Sequence, residues 1–247
     1  MEPKHNENKD EDPKLNTKKR ESRDEEATLA DGYLYFLIRV FGYTAKLKQT
    51  KHSEKTIKLY CVDELSIDNH LIVTQEDIQR EGRKLQLTFN SYPITSQMNP
   101  KQERRSKEAE MSNGYLQMLI NAGYEPEFKG TRSAKKTIKM YRIKKMTTPA
   151  KITLDKNVFM EFGRRLDILV KKMFHNGIKE MVISPDLLIE EEEHTNGVKL
   201  IEFLNPKLAA EQQATRNQND TSQQQAQQNN QKNQNDSDTE DIMNSFD

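Results

Sequence analysis

The sequence repeats itself, and this repeat constrains the fold more than any other feature. Gly42-Tyr43 recurs as Gly123-Tyr124, and Lys55-Thr56-Ile57-Lys58-Leu59-Tyr60 recurs as Lys136-Thr137-Ile138-Lys139-Met140-Tyr141. Lys48 and Thr50 match Lys129 and Thr131 at the same offset of about 81 residues, so these matches form one alignment. Gly32-Tyr33-Leu34 pairs with Gly114-Tyr115-Leu116 after a one-residue slip. Two copies of one small unit are therefore expected.

Each copy predicts a helix followed by a β-hairpin. Leu34, Leu37, Ile38 and Phe41 fall on one helical face, as do Leu116, Leu119 and Ile120. Gly42 and Gly123 stand where a helix needs a residue able to turn left-handed. Strands are predicted around 44–50 and 55–62, and again around 125–131 and 136–143. Ile57, Leu59 and Cys61 alternate with Thr56, Lys58 and Tyr60, giving one apolar face and one basic, aromatic face. A lone hairpin and helix is marginal, so the copies are expected to pack together or to recruit more strands. Asp31-Gly32 and Asn113-Gly114 read as helix N-caps.

Further strands are predicted at Leu71-Ile72-Val73, Leu85-Gln86-Leu87-Thr88-Phe89, Lys151-Ile152-Thr153-Leu154, Glu180 to Ser184 and Val198 to Leu204. A long helix is predicted from Val158 to Asn176, with Phe159, Phe162, Leu166, Leu169, Val170 and Met173 on one face and Asn176-Gly177 at its end. The expected class is α+β: two tandem helix–hairpin repeats with extra strands and one long helix, flanked by disordered tails. The boundaries read as a charged tail over 1–28, a first repeat over 29–90 and a polar linker over 91–111. A second repeat with a β-α-β extension follows over 112–205, then a Gln/Asn-rich tail over 206–247.

Composition supports the tails. Only 33% of the 247 residues are hydrophobic, 32% are charged and Trp is absent, so part of the chain lacks the apolar area to offset its ordering. Lone Cys61 excludes a disulfide framework and a Cys-based zinc cluster. No apolar run is long enough to cross a bilayer, and no membrane partner is expected. Lys18-Lys19-Arg20 is compatible with nuclear import or with a solvated tail, leaving a nuclear location with a cytoplasmic alternative. Ile242, Met243 and Phe246, in an acidic setting at the end of the second tail, offer a docking tip for a protein partner, or simply a frayed end.

Charge is segregated within a formal net of +0. From Phe128 to Lys151 the chain carries Lys129, Arg132, Lys135, Lys136, Lys139, Arg142, Lys144, Lys145 and Lys151 without an acidic residue. The first copy carries Lys46, Lys48, Lys51, Lys55 and Lys58 in the same stretch. A basic hairpin face can touch several phosphates at once, and Tyr141 or Tyr60 can stack on a base. The competing reading is an edge that lysines protect from aggregation. The five histidines, His5, His52, His70, His175 and His194, lack metal-ligand spacing, and no phosphate loop or nucleophile elbow is present. Glu190-Glu191-Glu192-Glu193 reads as a charged loop. Neither catalysis nor a metal or cofactor is expected.

Local stretches resemble known families. The helix ending in Gly-Tyr before a Lys-rich hairpin, Leu37 to Tyr60 and Leu119 to Tyr141, resembles part of the LAGLIDADG homing-endonuclease half-domain. The acidic metal-binding motif is missing, which implies binding without cutting. Lys151 to Ser184 resembles the β-α-β opening of Alba-type nucleic-acid-binding proteins, although Pro185 and four glutamates replace the helix and Gly-Arg motif that follow there. The Gln/Asn-rich tail resembles ciliate coding, and the overall build resembles accessory subunits of the ciliate DNA adenine methyltransferase and telomerase complexes. The expectation is a non-catalytic nucleic-acid-binding accessory subunit of a nuclear complex, with DNA ahead of RNA. The alternative is a scaffold that touches no nucleic acid.

Overall fold

A computed structural model describes residues 13–48, 61–68, 70–89, 100–128, 142–195, 199–200 and 204, with side chains of the first helix described from Asp24 onward. The chain divides into two units, Met1–Gly197 and Val198–Asp247, and every element named below belongs to the first. In the second unit, Leu200 and Leu204 are helical, against the strand expected there.

The repeat is longer than its sequence matches show. Helix α1 (Pro13–Phe41) leads into β1 (Thr44–Lys48), β2 (Cys61–Ile67), β3 (Leu71–Thr74) and α2 (Gln75–Phe89). The same order returns as α3 (Pro100–Asn121), β4 (Glu125–Phe128), β5 (Ile143–Thr147), β6 (Thr153–Asp155) and α4 (Lys156–His175). Strand β7 (Glu180–Ile183) and α5 (Pro185–His194) follow. The class is α+β, as the sequence implies.

Strand register matches between the copies residue by residue. Thr44 pairs with Ser66, Ala45 with Leu65 and Lys46 with Glu64, and a bulge then brings Leu47 opposite Val62. In the second copy Glu125 pairs with Thr147, Pro126 with Met146 and Glu127 with Lys145, and the bulge again precedes Phe128 opposite Ile143. The third strands match too: Glu64, Leu65 and Ser66 face Thr74, Val73 and Ile72, while Lys145, Met146 and Thr147 face Asp155, Leu154 and Thr153. The sheets differ at one edge. Strand β7 adds antiparallel to β1, giving the order β3-β2-β1-β7, whereas the other sheet is β4-β5-β6.

The helices exchange partners between copies. Helix α1 packs on α4 and α3 packs on α2. Gly32 lies against the Phe159 carbonyl and Gly163 against the Thr28 carbonyl; Gly114 meets the Ile78 carbonyl and Gly82 the Glu110 carbonyl. Each contact in one crossing has its counterpart in the other, an isologous arrangement within one chain. Tyr33, Phe36 and Phe159 stack at the first crossing, with centroids 5.5 Å and 4.5 Å from Phe159, and Tyr35 lies 4.9 Å from Phe162. Leu29 through Ile38 are buried all round, so α1 is a core helix at its centre.

Several expectations need correction. Asp31 and Asn113 are not N-caps, because both lie inside buried helix centres and the glycines after them serve helix crossing. The tail boundary at 28 falls within α1, whose Ala27, Leu29 and Ala30 are buried; the charged residues before them are good helix formers that extend a packed segment. Much of the expected 91–111 linker is the first half of α3, where Ser106, Ala109 and Met111 are buried. Leu85 to Phe89 is the end of α2 rather than a strand. Ile78, Gly82 and Leu85 face inward at helical spacing, and Thr74 and Asp77 exchange capping hydrogen bonds at 3.1 and 3.3 Å. The expected long helix, by contrast, is α4, with Phe159, Phe162, Leu166, Leu169 and Val170 buried.

Asp31 has a testable consequence. It is buried, its Oδ2 has no hydrogen-bond partner, and burial raises its pKa well above the usual carboxylate range, with Asp167 adding to this and Lys171 opposing it. The native state then holds the proton that the unfolded chain releases above a pKa of about 3.9. Stability is fullest below that pH and falls as pH rises toward the folded pKa. Since the second copy has Asn113 at the corresponding place, Asp31→Asn is expected to remove this fall. The expected gain at neutral pH is about 1–3 kcal/mol, read from urea midpoints between pH 4 and 8. An unchanged pH profile contradicts the assignment.

Candidate nucleic-acid interface

The basic segments connect equivalent strands in the two copies. Residues 49–60 connect Lys48 of β1 to Cys61 of β2, and residues 129–141 connect Phe128 of β4 to Arg142 before β5. The strands that flank the two segments share register and bulge. Lys51, Lys55, Lys58, Lys129, Arg132, Lys135, Lys136, Lys139, Tyr60 and Tyr141 lie outside the described residues, as do Ile242, Met243 and Phe246.

The expected site residues that are described all meet carboxylates. Lys48 pairs with Asp63 at 2.7 Å across β1 and β2. Lys144 and Lys145 converge on Glu127 at 3.0 and 3.5 Å, and hydrogen bonding from Lys144 lowers the Glu127 pKa. Lys151 reaches Glu125 at 3.5 Å. All are exposed pairs, and such pairs contribute little and yield readily to a stronger anion. Arg142 differs. Half-buried, it donates from Nε to Glu26 Oε1 at 3.1 Å and approaches Glu25 at 3.5 Å, while Lys156 also holds Glu25.

The partners Glu25, Glu26 and Asp63 are not apparent as such from the sequence. Glu127 stands just before the acid-free run and is the one signal available there; Glu26 is 116 residues from Arg142. Other described cations are matched in the same way, among them Arg80 by Asp77, Arg83 by Glu110, Lys171 by Asp167 and Lys172 by Glu191.

The glutamate run is a helix, not a charged loop. Ser184 caps α5 by accepting from the Leu187 N–H at 3.3 Å, and Pro185 opens it. Glu192 is buried, accepting from the Tyr35 hydroxyl at 2.7 Å and from Arg39 at 3.4 Å, which docks α5 on α1. Burial first, and then the bond to Glu192, raise the Tyr35 pKa. Among the described residues, no group of three His, Cys, Asp or Glu is placed to hold a metal, and no helix is long and apolar enough to cross a membrane. No family model, curated protein or solved structure matches the chain.

Proposed function

We propose that this protein is a non-catalytic nucleic-acid-binding subunit of a larger nuclear assembly, taking DNA in preference to RNA. One observation carries the reading. From Lys129 to Lys139 the sequence concentrates positive charge with no acidic residue between the end of β4 and the start of β5. Lysines spread along a protective edge do not require such concentration. The first copy adds a weaker basic segment, with Lys51, Lys55 and Lys58 against Glu54, between β1 and β2.

Fluorescence anisotropy with labelled duplex DNA, duplex RNA and single strands tests the reading. Saturable binding is expected, with duplex DNA tightest. No binding to any of these at low salt leaves the scaffold reading in its place. That second reading has its own support, because Leu71 and Ile72 on edge strand β3 are 53% and 55% exposed. The corresponding second-copy positions, Ile152 and Thr153, do not present such a pair. An exposed apolar edge suits a protein partner.

A further inference from the structure

We propose that helices α2 and α4 carry two equivalent docking sites for an acidic peptide segment of a partner protein, centred on Leu87 and Ile168. The inference goes beyond the nucleic-acid reading above and does not depend on it. Helices α2 and α4 close the two copies of the repeat, and Gly82 and Gly163 put them in register. In that register Arg83, Lys84 and Leu87 correspond to Arg164, Arg165 and Ile168. Leu87 is 64% exposed and Ile168 65%, so a large aliphatic side chain stands in solvent at the same helical position of each copy. A single exposed leucine needs no explanation. The same exposure in both copies does, because neighbouring positions differ: Glu76 corresponds to Asn157, Arg80 to Glu161 and Thr88 to the buried Leu169.

Positive charge surrounds each aliphatic side chain. On α2, Arg80, Arg83 and Lys84 share the solvent face of Leu87; on α4, Arg164, Lys171 and Lys172 lie one turn from Ile168. These cations are paired, but in each pair the cation reaches further into solvent than its acid. The Lys84 side chain is 60% exposed against 19% for Glu81, and Lys171 is 53% exposed against 19% for Asp167. Arg80, Arg83, Arg164 and Lys172 likewise outreach Asp77, Glu110, Glu161 and Glu191. Arg165 is the exception, because its guanidinium lies over the Phe162 ring, 5.1 Å from the centroid. The outermost layer around Leu87 and Ile168 is therefore cationic, with the carboxylates beneath it.

This combination selects the occupant. A phosphate backbone would satisfy the cations but leave the aliphatic side chains facing charge. A peptide carrying Asp or Glu around an apolar residue satisfies both. Its carboxylates meet the outer cations, whose exposed pairs cost little to rearrange, while its apolar side chain covers Leu87 or Ile168. Each site is small, so one segment alone binds weakly. Two equivalent sites on one chain let a partner with two such segments gain by avidity.

The test is fluorescence anisotropy on full-length protein with a labelled synthetic helix of about 16 residues, roughly four turns, bearing Leu along one stripe and Glu elsewhere. Saturable binding is expected at two peptides per chain, weakened by salt. Leu87→Ser with Ile168→Ser should weaken it about tenfold or more, and either substitution alone should halve the stoichiometry, with urea midpoints showing that each variant is folded. Replacing the peptide's Leu by Ala, or its Glu by Lys, should each weaken binding at least about tenfold. No binding of the Leu/Glu peptide, binding indifferent to the double substitution, or equal binding of the Ala/Glu peptide overturns the inference. So does a double variant that keeps the peptide but loses affinity for a DNA duplex, which would put nucleic acid on this face. Peptide binding by a protein that holds no duplex supports these sites while overturning the nucleic-acid reading.

Discussion

Gly163→Ala is expected to cost at least about 3 kcal/mol of stability, and Gly32→Ala a similar amount. A Cβ at Gly163 would stand 1.9 Å from the Thr28 carbonyl oxygen, and one at Gly32 would stand 2.0 Å from that of Phe159. Both obstacles are backbone atoms, so no side chain can swing aside. Relief requires α1 and α4 to separate, which opens the packing of Tyr33, Phe36 and Phe159 at the same crossing. Alanine's gain in helix propensity, about 1 kcal/mol, does not offset that. The exchange of partners predicts the same destabilisation from Gly82→Ala, whose Cβ would meet the Glu110 carbonyl at 1.9 Å. Gly42→Ala is the comparison: nothing lies near its Cβ, and only the φ of +74° penalises it, by about 1 kcal/mol. Urea midpoints that place Gly163→Ala level with Gly42→Ala would contradict the crossing.

Reversing charge in the second basic segment is expected to have the largest functional effect. Lys135→Glu, Lys136→Glu and Lys139→Glu together remove three nearby cations and add three anions in a stretch that holds no other acid. Affinity for a DNA duplex should fall on the order of a hundredfold or more, with the salt slope reduced by roughly 0.9 for each phosphate no longer neutralised. Urea midpoints measured on the same variant separate a loss of binding from a loss of fold. The same reversal at Lys51, Lys55 and Lys58 should cost less, since that segment already contains Glu54. Binding unchanged by the first triple variant would leave the basic run with a solubilising role.

How far the fold can be read from the sequence varies with the kind of interaction. Helix α4 is legible because Phe159, Phe162, Leu166 and Leu169 form one uninterrupted apolar stripe. The hairpins are legible only in part: Gly42-Tyr43 and Gly123-Tyr124 mark where β1 and β4 begin, but the second strands run over Cys61–Ile67 and Ile143–Thr147 rather than around 55–62 and 136–143, and the matched Lys-Thr-Ile-Lys segments lie outside the described residues. Helix α2 is not, because Leu85-Gln86-Leu87-Thr88-Phe89 alternates like a strand while its inward residues, Ile78, Gly82 and Leu85, are spread over two turns. The recurrence of Gly82 as Gly163, at the offset of the other matches, is the quieter sign that the repeat continues through a second helix. The start of α1 is hidden because dense charge looks like a solvated tail, although Lys, Arg, Glu and Ala extend helices well. For the candidate site, sequence identifies the cations but not their counterions. Glu25 and Glu26 reach Arg142 only through the packing of one copy against the other.

The central claim, that the second hairpin's basic segment holds nucleic acid, is tested most directly by wild-type affinity for a DNA duplex across a salt series. The expected result is a straight line of log K against log salt with a steep negative slope, displaced downward and flattened in the Lys135, Lys136 and Lys139 reversal variant. An affinity indifferent to salt, or no association at about 50 mM salt, would contradict it.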